Sequence, residues 1–343
     1  MKRPKPSVPI QLQPKPETMP ILPLLNRSPD SLLAEGWTAS QFSAATLSLA
    51  ARLHAHQVQA AALWFDDAAR FASALLAAWL AGAEVYLPPN LAEENRRWAE
   101  AGGAVWLSDV PEVSDGLWLY DGAAEQAAAP AEALEWPREN VLYLKTSGSS
   151  GEAKVEAKTR TQMLAEAAAL AERLPESWRG LAAVGSVSPQ HLYGLTFRVF
   201  VSLAAGWVIG RRQCVYPELL LADSRRECVW IASPALLNRL GERRDWARLR
   251  QNVRGIISAG GMLPEATAAL LQEKLGFAPH DVYGSTETGV IALRQGGAWE
   301  LLPAVEASVS KENIFQVAFL FKAEGYLKNI PTFSGSLCCL LGF

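Results

Sequence analysis

The stretch from Val141 to Lys154 constrains the chain more than any other. A short apolar run, Val141–Leu144, predicts a buried strand. Lys145 follows it, and then come six small or hydroxyl-bearing residues before Lys154: Thr146, Ser147, Gly148, Ser149, Ser150 and Gly151. Such a loop offers backbone amides, hydroxyls and an amine to phosphate oxygens. We therefore predict a phosphate-binding loop after a strand; a flexible Ser/Gly linker is the alternative.

The spacing of this loop differs from that of the common nucleotide-binding loop, Gly-x-x-x-x-Gly-Lys-Ser/Thr. Here Gly148 and Gly151 are only three residues apart, and Lys154 follows three residues later. This disfavours a kinase-like P-loop ATPase. Formation of AMP rather than ADP would exclude that class.

The loop resembles the phosphate loop of the AMP-forming acyl-adenylating superfamily, which includes acyl-CoA synthetases, aryl-acid ligases, luciferases and peptide-synthetase adenylation domains. Their loop reads Ser/Thr-Ser-Gly-Ser/Thr-Ser/Thr-Gly-x-Pro-Lys. The chain matches it from Thr146 to Gly151 and at Lys154, and has Ala153 in place of proline. The resemblance implies that this loop binds ATP and that Lys154 neutralises the β- and γ-phosphates.

A second match is Tyr283-Gly284-Ser285-Thr286-Glu287, followed by Thr288 and Gly289. It resembles the Tyr-Gly-x-Thr-Glu segment of the same superfamily. The resemblance implies that Tyr283 stacks near adenine and that Gly284 and Ser285 belong to the nucleotide-binding loop. It further implies that Thr286 contacts the α-phosphate and that Glu287 is the Mg²⁺ ligand. A hairpin turn with solvated Thr and Glu is the alternative.

Two further segments carry weaker matches. Ser188–Gly194 resembles a family loop whose histidine lies near the carboxylate being activated, and His191 is the matching residue. Ser258–Pro264 contains Gly260 and Gly261 and resembles a turn that lets backbone approach the nucleotide and acyl group. Alone, these segments are also compatible with an exposed loop histidine and an ordinary strand-to-helix turn.

Strand and helix patterns alternate along the chain, which favours an α/β fold with a parallel sheet and helices on its faces. The resemblance implies the large N-terminal domain of an acyl-adenylating enzyme, with mixed sheets flanked by helices. The predicted helices are Ser40–His54 with Ser40 as N-cap, Ala68–Ala81, Leu91–Ala101, Thr161–Leu174, Leu195–Ala205 and Pro264–Leu275. The predicted strands are Ala61–Phe65, Glu84–Leu87, Ala104–Leu107, Leu117–Tyr120, Val141–Leu144, Leu181–Val187, Cys228–Ala232, Val253–Ser258 and Asp281–Tyr283.

Three regions follow from the extent of the resemblance. Residues 1–30 are expected to be a disordered tail, 31–306 an AMP-binding adenylation domain, and 307–343 an aberrant or truncated tail. After Gly289 we find no Thr-Gly-Asp, no Gly-Arg hinge and no mobile domain carrying a lysine. We therefore expect the small C-terminal domain to be absent, through truncation or a frameshift, and adenylation to be slow or lost.

Composition sets broad limits on function. The net charge of −3 gives no sign of a nucleic-acid partner, and no apolar run reaches the ~18 residues of a membrane span. The four cysteines form no CxxC pair, which fits a reduced, cytoplasmic compartment. The four histidines are scattered, so no metal cluster is predicted, and His54 and His56 are expected to face solvent.

These matches predict an AMP-forming acid ligase. As the resemblance implies, it uses ATP and Mg²⁺ to convert an aryl or fatty acid to acyl-AMP. Coenzyme A, or the phosphopantetheine of an acyl carrier protein, then accepts the acyl group. A degenerate nucleotide-binding protein of the same fold and a non-enzymatic interaction module using the apolar C-terminal residues remain alternatives.

Overall fold

Two mixed β-sheets and the helices around them form the body of the protein. A computed structural model describes residues 27–114, 117–120, 139–146, 153–303, 305–309, 315–319 and 326–328, and from residue 306 onward it describes the backbone alone. In the described part, no helix combines the length and apolar character needed to cross a membrane. The predicted fold class, α/β with mixed sheets flanked by helices, is confirmed.

The larger sheet has nine strands in the order β14-β13-β12-β11-β10-β8-β9-β1-β2. The central strands β9, β8, β10, β11 and β12 run parallel, and β13 returns antiparallel to β12. The bounds are β1 Leu32–Ala34, β2 Trp37–Thr38, β8 Ala182–Gly185, β9 Val208–Gln213, β10 Cys228–Ala232, β11 Val253–Ser258, β12 His280–Ser285, β13 Gly289–Gln295 and β14 Glu300–Leu301.

The second sheet has five strands in the order β5-β3-β4-β6-β7. Four of them are parallel, and β7 pairs antiparallel with β6, with Thr146 opposite Lys154. The bounds are β3 Ala60–Trp64, β4 Glu84–Leu87, β5 Val105–Ser108, β6 Val141–Thr146 and β7 Lys154–Thr159. The predicted phosphate loop therefore connects two adjacent antiparallel strands.

Nine helical segments are described. They are α1 Ala39–Ala55, α2 Ala68–Leu80, α3 Glu93–Ala101, α4 Arg160–Arg173, α5 at residues 192–204, α6 Pro217–Asp223, α7 Pro234–Leu237, α8 Trp246–Asn252 and α9 Glu265–Leu275. Helix α5 has a π-helical centre, Leu195–Val201. A 3₁₀ turn covers Glu176–Trp178.

Helix α2 joins the two sheets. It is apolar around its whole circumference, and twelve of its thirteen residues are buried. A helix of this kind belongs inside a core, and α2 packs on β3 and β4 of one sheet and on β9 of the other. The alanines of α2 allow this close approach on both sides, so the sheets are held in a fixed relation.

The sequence located most of these elements, with local errors. The N-cap of α1 is Thr38 rather than the predicted Ser40, because Thr38 and Gln41 form a reciprocal capping box. The predicted strand Leu117–Tyr120 is wrong: only an isolated parallel bridge joins Leu119 to Ser108. Pro264 precedes α9, while Gly276 ends this helix with a φ of +90°, as expected of a glycine cap.

Near the C-terminal end, three strands form a small antiparallel sheet: β15 Val305–Val309, β16 Phe315–Phe319 and β17 Tyr326–Lys328. They lie mainly in the region expected to be an aberrant tail. Residues 1–26 and 329–343 lie outside the described residues, as do Cys338 and Cys339. Cys214 and Cys228 are buried free thiols, and His54 and His56 are exposed as predicted.

Arg198 in α5 fixes the loop that follows β8. Its buried guanidinium donates to the carbonyl oxygens of Val187, Gly210 and Arg212 at 2.6, 2.9 and 2.9 Å. Burial lowers its pKa to about 10. The side chain therefore serves three backbone acceptors that would otherwise be unsatisfied.

We predict that Arg198→Met lowers the free energy of unfolding by about 3 kcal/mol, since buried carbonyls would lose their donor. Urea denaturation measures the change. Arg239→Met is the matched control, because Arg239 lies exposed on the surface, and its effect should stay within about 0.5 kcal/mol. Equal effects of the two substitutions would contradict this role of Arg198.

Candidate active site

A pocket of about 140 Å³ lies at the carboxyl ends of β11 and β12, against the start of α5. Ligands of open α/β sheets bind outside the carboxyl ends of parallel strands. The pocket brings together residues from three segments that the sequence singled out. They are Leu192 and Tyr193 beside His191, Gly260 after β11, and Gly284, Ser285 and Thr286 at the end of β12.

The turn between β12 and β13 holds Thr286 and Glu287 at its tip. The backbone amide of Ser285 donates to Thr288 Oγ1 at 3.0 Å, and the amide of Thr288 donates to Ser285 Oγ at 3.2 Å. These reciprocal bonds fix the turn. The segment therefore does form a hairpin turn, as the alternative interpretation expected. However, Thr286 at the tip of this turn lines the pocket. Thr286 has no hydrogen-bond partner within the described residues, so its hydroxyl is available to a ligand.

A lysine connects this turn to the other sheet. Lys158 in β7 is buried, and its Nζ donates to the carbonyl oxygen of Glu287 at 3.0 Å. The strand that leads out of the predicted phosphate loop therefore contacts the Thr286–Glu287 turn directly. The two segments, about 130 residues apart in the sequence, share one side of the molecule.

Lys154 lies on the same face of β7 as Lys158, because side chains alternate along a strand and the two residues are four apart. The strand rise places its Cα roughly 13 Å from that of Lys158. Lys154 is exposed at the start of β7. It therefore lies on the side that faces the Glu287 turn, at the end nearest the predicted phosphate loop. Of that loop, Thr146 ends β6, and 147–152 lie outside the described residues.

Glu166 in α4 lies directly behind the pocket. Its Oε2 accepts the backbone amide of Val290 at 3.0 Å, and its Oε1 accepts the hydroxyl of Thr196 at 3.2 Å. Burial raises the pKa of this carboxyl, and the Val290 amide, the Lys158 charge and the Thr196 hydroxyl partly oppose that rise. Glu166 thus ties α4, α5 and β13 together around the pocket.

The pKa shift of Glu166 predicts a pH-dependent stability. A carboxyl whose folded pKa lies above its unfolded value of 4.5 stabilises the fold below that pH and loses this contribution as pH rises through the folded pKa. We therefore expect the stability advantage of the wild type over Glu166→Gln to shrink as pH increases above about 4.5. Urea denaturation of both proteins from pH 4 to pH 8 measures this difference in unfolding free energy. A wild-type advantage that grows with pH would contradict a raised pKa of Glu166.

The remaining candidates lie around the pocket in different positions. Gly260 has a φ of +85°, which favours glycine there, and a Cβ on it would meet no heavy atom within 4 Å, while one on Gly261 would lie 4.0 Å from Pro234 Cγ. His191 immediately precedes α5, and its side chain is exposed by surface area. Nearby protein atoms nevertheless desolvate the imidazole and lower its pKa. Tyr283 is outside the pocket lining: it contacts Trp299 edge to face, with ring centroids 5.9 Å apart.

Lys158 and Glu166 are the two residues of this site that the sequence interpretation missed. The alternation of Lys154, Glu156 and Lys158 is a period-two signal that could have predicted β7. Nothing in the sequence shows that Lys158 crosses between sheets. Glu166 falls within an alanine-rich helix, where a glutamate is usually on the solvent side.

The donor set of the turn fits a magnesium ion bound together with a nucleotide. Mg²⁺ in such sites uses one or two carboxylates and substrate phosphates, and Glu287 is half-buried and follows the pocket-lining Thr286 in the turn. Within the described ranges, no group of three or more His, Cys, Asp or Glu side chains could hold a metal alone. Glu287 would therefore need phosphate oxygens as co-ligands.

Known proteins resemble the chain in sequence and in fold. The 4-coumarate–CoA ligase of Rhodobacter capsulatus is 30% identical over 174 residues, which cover 48% of this chain and 42% of the relative. The chain thus spans less than half of that protein's length. The ATP-bound structure of MatB from Rhodopseudomonas palustris superimposes with a TM-score of 0.71 at 18% identity, over 87% of this chain and 69% of that one.

A second solved structure is the o-succinylbenzoate CoA synthetase of Bacillus subtilis in complex with its acyl-adenylate intermediate. Its TM-score is 0.71 at 20% identity, with 88% of each chain covered. At such identities these structures establish the fold alone. The family model for AMP-binding enzymes matches residues 87–314, which is more than half of the chain and includes both predicted loops. The chain therefore belongs to the AMP-binding enzyme family.

Proposed function

We propose that this protein is an AMP-forming acid–thiol ligase that activates a carboxylic acid with ATP. The observation that carries the proposal is the hydrogen bond from Lys158 to the Glu287 carbonyl, which brings the strand after the phosphate loop against the Thr286–Glu287 turn. The family match supports the same assignment. The ligase relatives, one named for coumarate and one for o-succinylbenzoate, support a carboxylic acid as substrate.

In the proposed reaction, a carboxylate oxygen of the acid attacks the α-phosphorus of ATP. The bond from that phosphorus to the bridging oxygen breaks, and pyrophosphate leaves with the electron pair. Thr286 donates to an α-phosphate oxygen, and Lys154 with the loop Thr146–Gly151 neutralises the β- and γ-phosphates. Glu287 would hold a magnesium ion, which when bound would neutralise charge on the phosphates. Chemistry of this kind depends mainly on positioning and fixed charge.

The other residues would bind and orient the substrates. Tyr283 and Gly284 border the adenine, and Ser285 fixes the turn. Gly260 and Gly261 let the backbone approach the acyl-adenylate, and His191 lies near the activated carboxylate. Residues 31–306 would then form the adenylating unit.

A thiol accepts the acyl group in the second half of the proposed reaction, with AMP as leaving group. Coenzyme A is the favoured acceptor, because the ligase relatives are CoA ligases by name. The phosphopantetheine thiol of an acyl carrier protein is the alternative acceptor of the acyl group. A cytoplasmic location suits the buried free thiols Cys214 and Cys228.

Carboxylate-dependent exchange of labelled pyrophosphate into ATP tests the proposal, because exchange requires reversible formation of acyl-AMP. We expect slow exchange with at least one acid of a panel and none without acid, and a further fall of about 10²–10³ on Thr286→Val. Calorimetric titration with Mg·ATP is run in parallel. Nucleotide binding without exchange would indicate a non-catalytic nucleotide binder, and absence of both would overturn the proposal.

A further inference from the structure

The pocket beside Thr286 has the size of one aromatic ring. Its volume is about 140 Å³, and a buried apolar cavity of about 150 Å³ accepts benzene. Thr286, the proposed contact of the α-phosphate, lines the pocket. An acyl group joined to that phosphate would therefore extend into the pocket.

Aromatic rings form one wall of this pocket in a fixed arrangement. Tyr193 and Phe197 pack edge to face, with centroids 5.5 Å apart and planes at 74°. The Tyr193 hydroxyl donates to the carbonyl oxygen of Ile257 at 2.7 Å. That bond holds the phenol ring in place, so the wall presents aromatic surface to the pocket rather than a free hydroxyl. Such a wall suits an aromatic guest.

Gly284 and Gly289 form part of the opposite wall and are closely packed. A Cβ on Gly289 would lie 2.0 Å from Glu166 Oε2, and one on Gly284 would lie 2.2 Å from the Gly289 carbonyl oxygen. The Thr196 hydroxyl is already bound to Glu166. These contacts fix the width of the pocket.

The absence of charged residues from the described pocket lining further restricts which acyl group the pocket can bind. None of the described residues that line the pocket carries a charge, and Glu166, directly behind it, is acidic. A second carboxylate on the substrate would be buried without a partner, which is strongly unfavourable.

We propose that the acyl group selected by this site is a neutral, single-ring aryl group. This inference rests on the proposed function, because it assumes that the acyl-adenylate bridges Thr286 and the pocket. Fused two-ring acids and long straight-chain acids should bind less tightly because of their size, and dicarboxylic acids because of their second charge.

Binding of non-reactive acyl-adenylate analogues tests this without turnover. Benzoyl, 2-naphthoyl, octanoyl and succinyl sulfamoyl-adenosines are titrated calorimetrically into the full chain. We expect benzoyl to bind at least about tenfold more tightly than the others. If another analogue binds as well as benzoyl or better, the ring assignment is overturned while the adenylating function stands. If none of the four analogues binds, both the ring assignment and the proposed function are overturned.

Enlarging the pocket provides the second readout. Phe197→Leu removes one of the two rings of the aromatic wall and should shift the naphthoyl-to-benzoyl affinity ratio toward naphthoyl by about tenfold. Phe197 is buried, so thermal unfolding checks that the variant folds. Val282→Ala, at a half-buried lining position, widens the pocket with less risk to the core. An unchanged ratio in a folded variant would show that this pocket does not hold the acyl group.

Discussion

Lys158→Met is expected to reduce acid-dependent pyrophosphate exchange by on the order of 100-fold, since misplacing a reacting group by an ångström has effects of that size. The amine that holds the Glu287 carbonyl at 3.0 Å would be lost, and the turn with Thr286 would no longer be fixed against β7. The charge that opposes the raised pKa of Glu166 would also be removed. Exchange kinetics and the Mg²⁺ concentration for half-maximal rate measure the effect, and the latter should rise.

Lys145→Met is the matched control for this prediction. Lys145 is in the neighbouring strand β6 and pairs with Val155, so it lies on the sheet face opposite Lys158. Its amine lies over the ring of Trp98, 5.8 Å from the centroid. The control loses the same charge but not the contact between sheets. If both variants keep exchange within about threefold of wild type, less than a tenth of the misplacement effect, the positioning role of Lys158 is refuted.

Gly289→Ala should lower the free energy of unfolding by about 3 kcal/mol. Gly289 has a φ of +72°, where a side chain costs about 1–2 kcal/mol. Its Cβ would also lie 2.0 Å from Glu166 Oε2, and overpacking typically adds about 1–3 kcal/mol. Urea denaturation gives the change in unfolding free energy, and Mg·ATP titration shows whether the turn is disturbed.

Gly103→Ala isolates the backbone part of that effect. Gly103 has the same φ of +72°, but no heavy atom lies within 4 Å of its added Cβ. We expect this control to cost about 1 kcal/mol and to leave nucleotide affinity unchanged. Equal destabilisation by the two alanines would mean that the contact with Glu166 has no energetic weight.

The strands with continuous apolar sequence were predicted, and the charged strand β7 was not. Cys228–Ala232 and Val253–Ser258 have the predicted bounds, because short β-branched and apolar runs flanked by polar residues indicate buried strands. Strand β7, Lys154–Thr159, was missed. It is a polar edge strand, and Lys158 is its only buried residue. Its place in the fold depends on pairing with β6, which local sequence does not encode.

The candidate site shows the same division. Gly260, Gly284, Ser285 and Thr286 were proposed from short motifs, and these residues do line one pocket. The partners that hold them, Lys158 and Glu166, come from a different sheet and from a helix. Their roles arise from long-range packing, so no motif spacing could reveal them. The same applies to Arg198, whose three acceptors lie in the loop after β8 and in strand β9.

The most direct test of this account is a double-mutant cycle on Mg·ATP affinity with Lys154→Met and Glu287→Gln. If both side chains act on one triphosphate, each substitution should weaken binding by about tenfold, and their combined effect should be non-additive, as expected of groups that share a partner. Binding that is unchanged in both single variants, with wild-type thermal stability, would contradict the claim that the two loops close on one nucleotide.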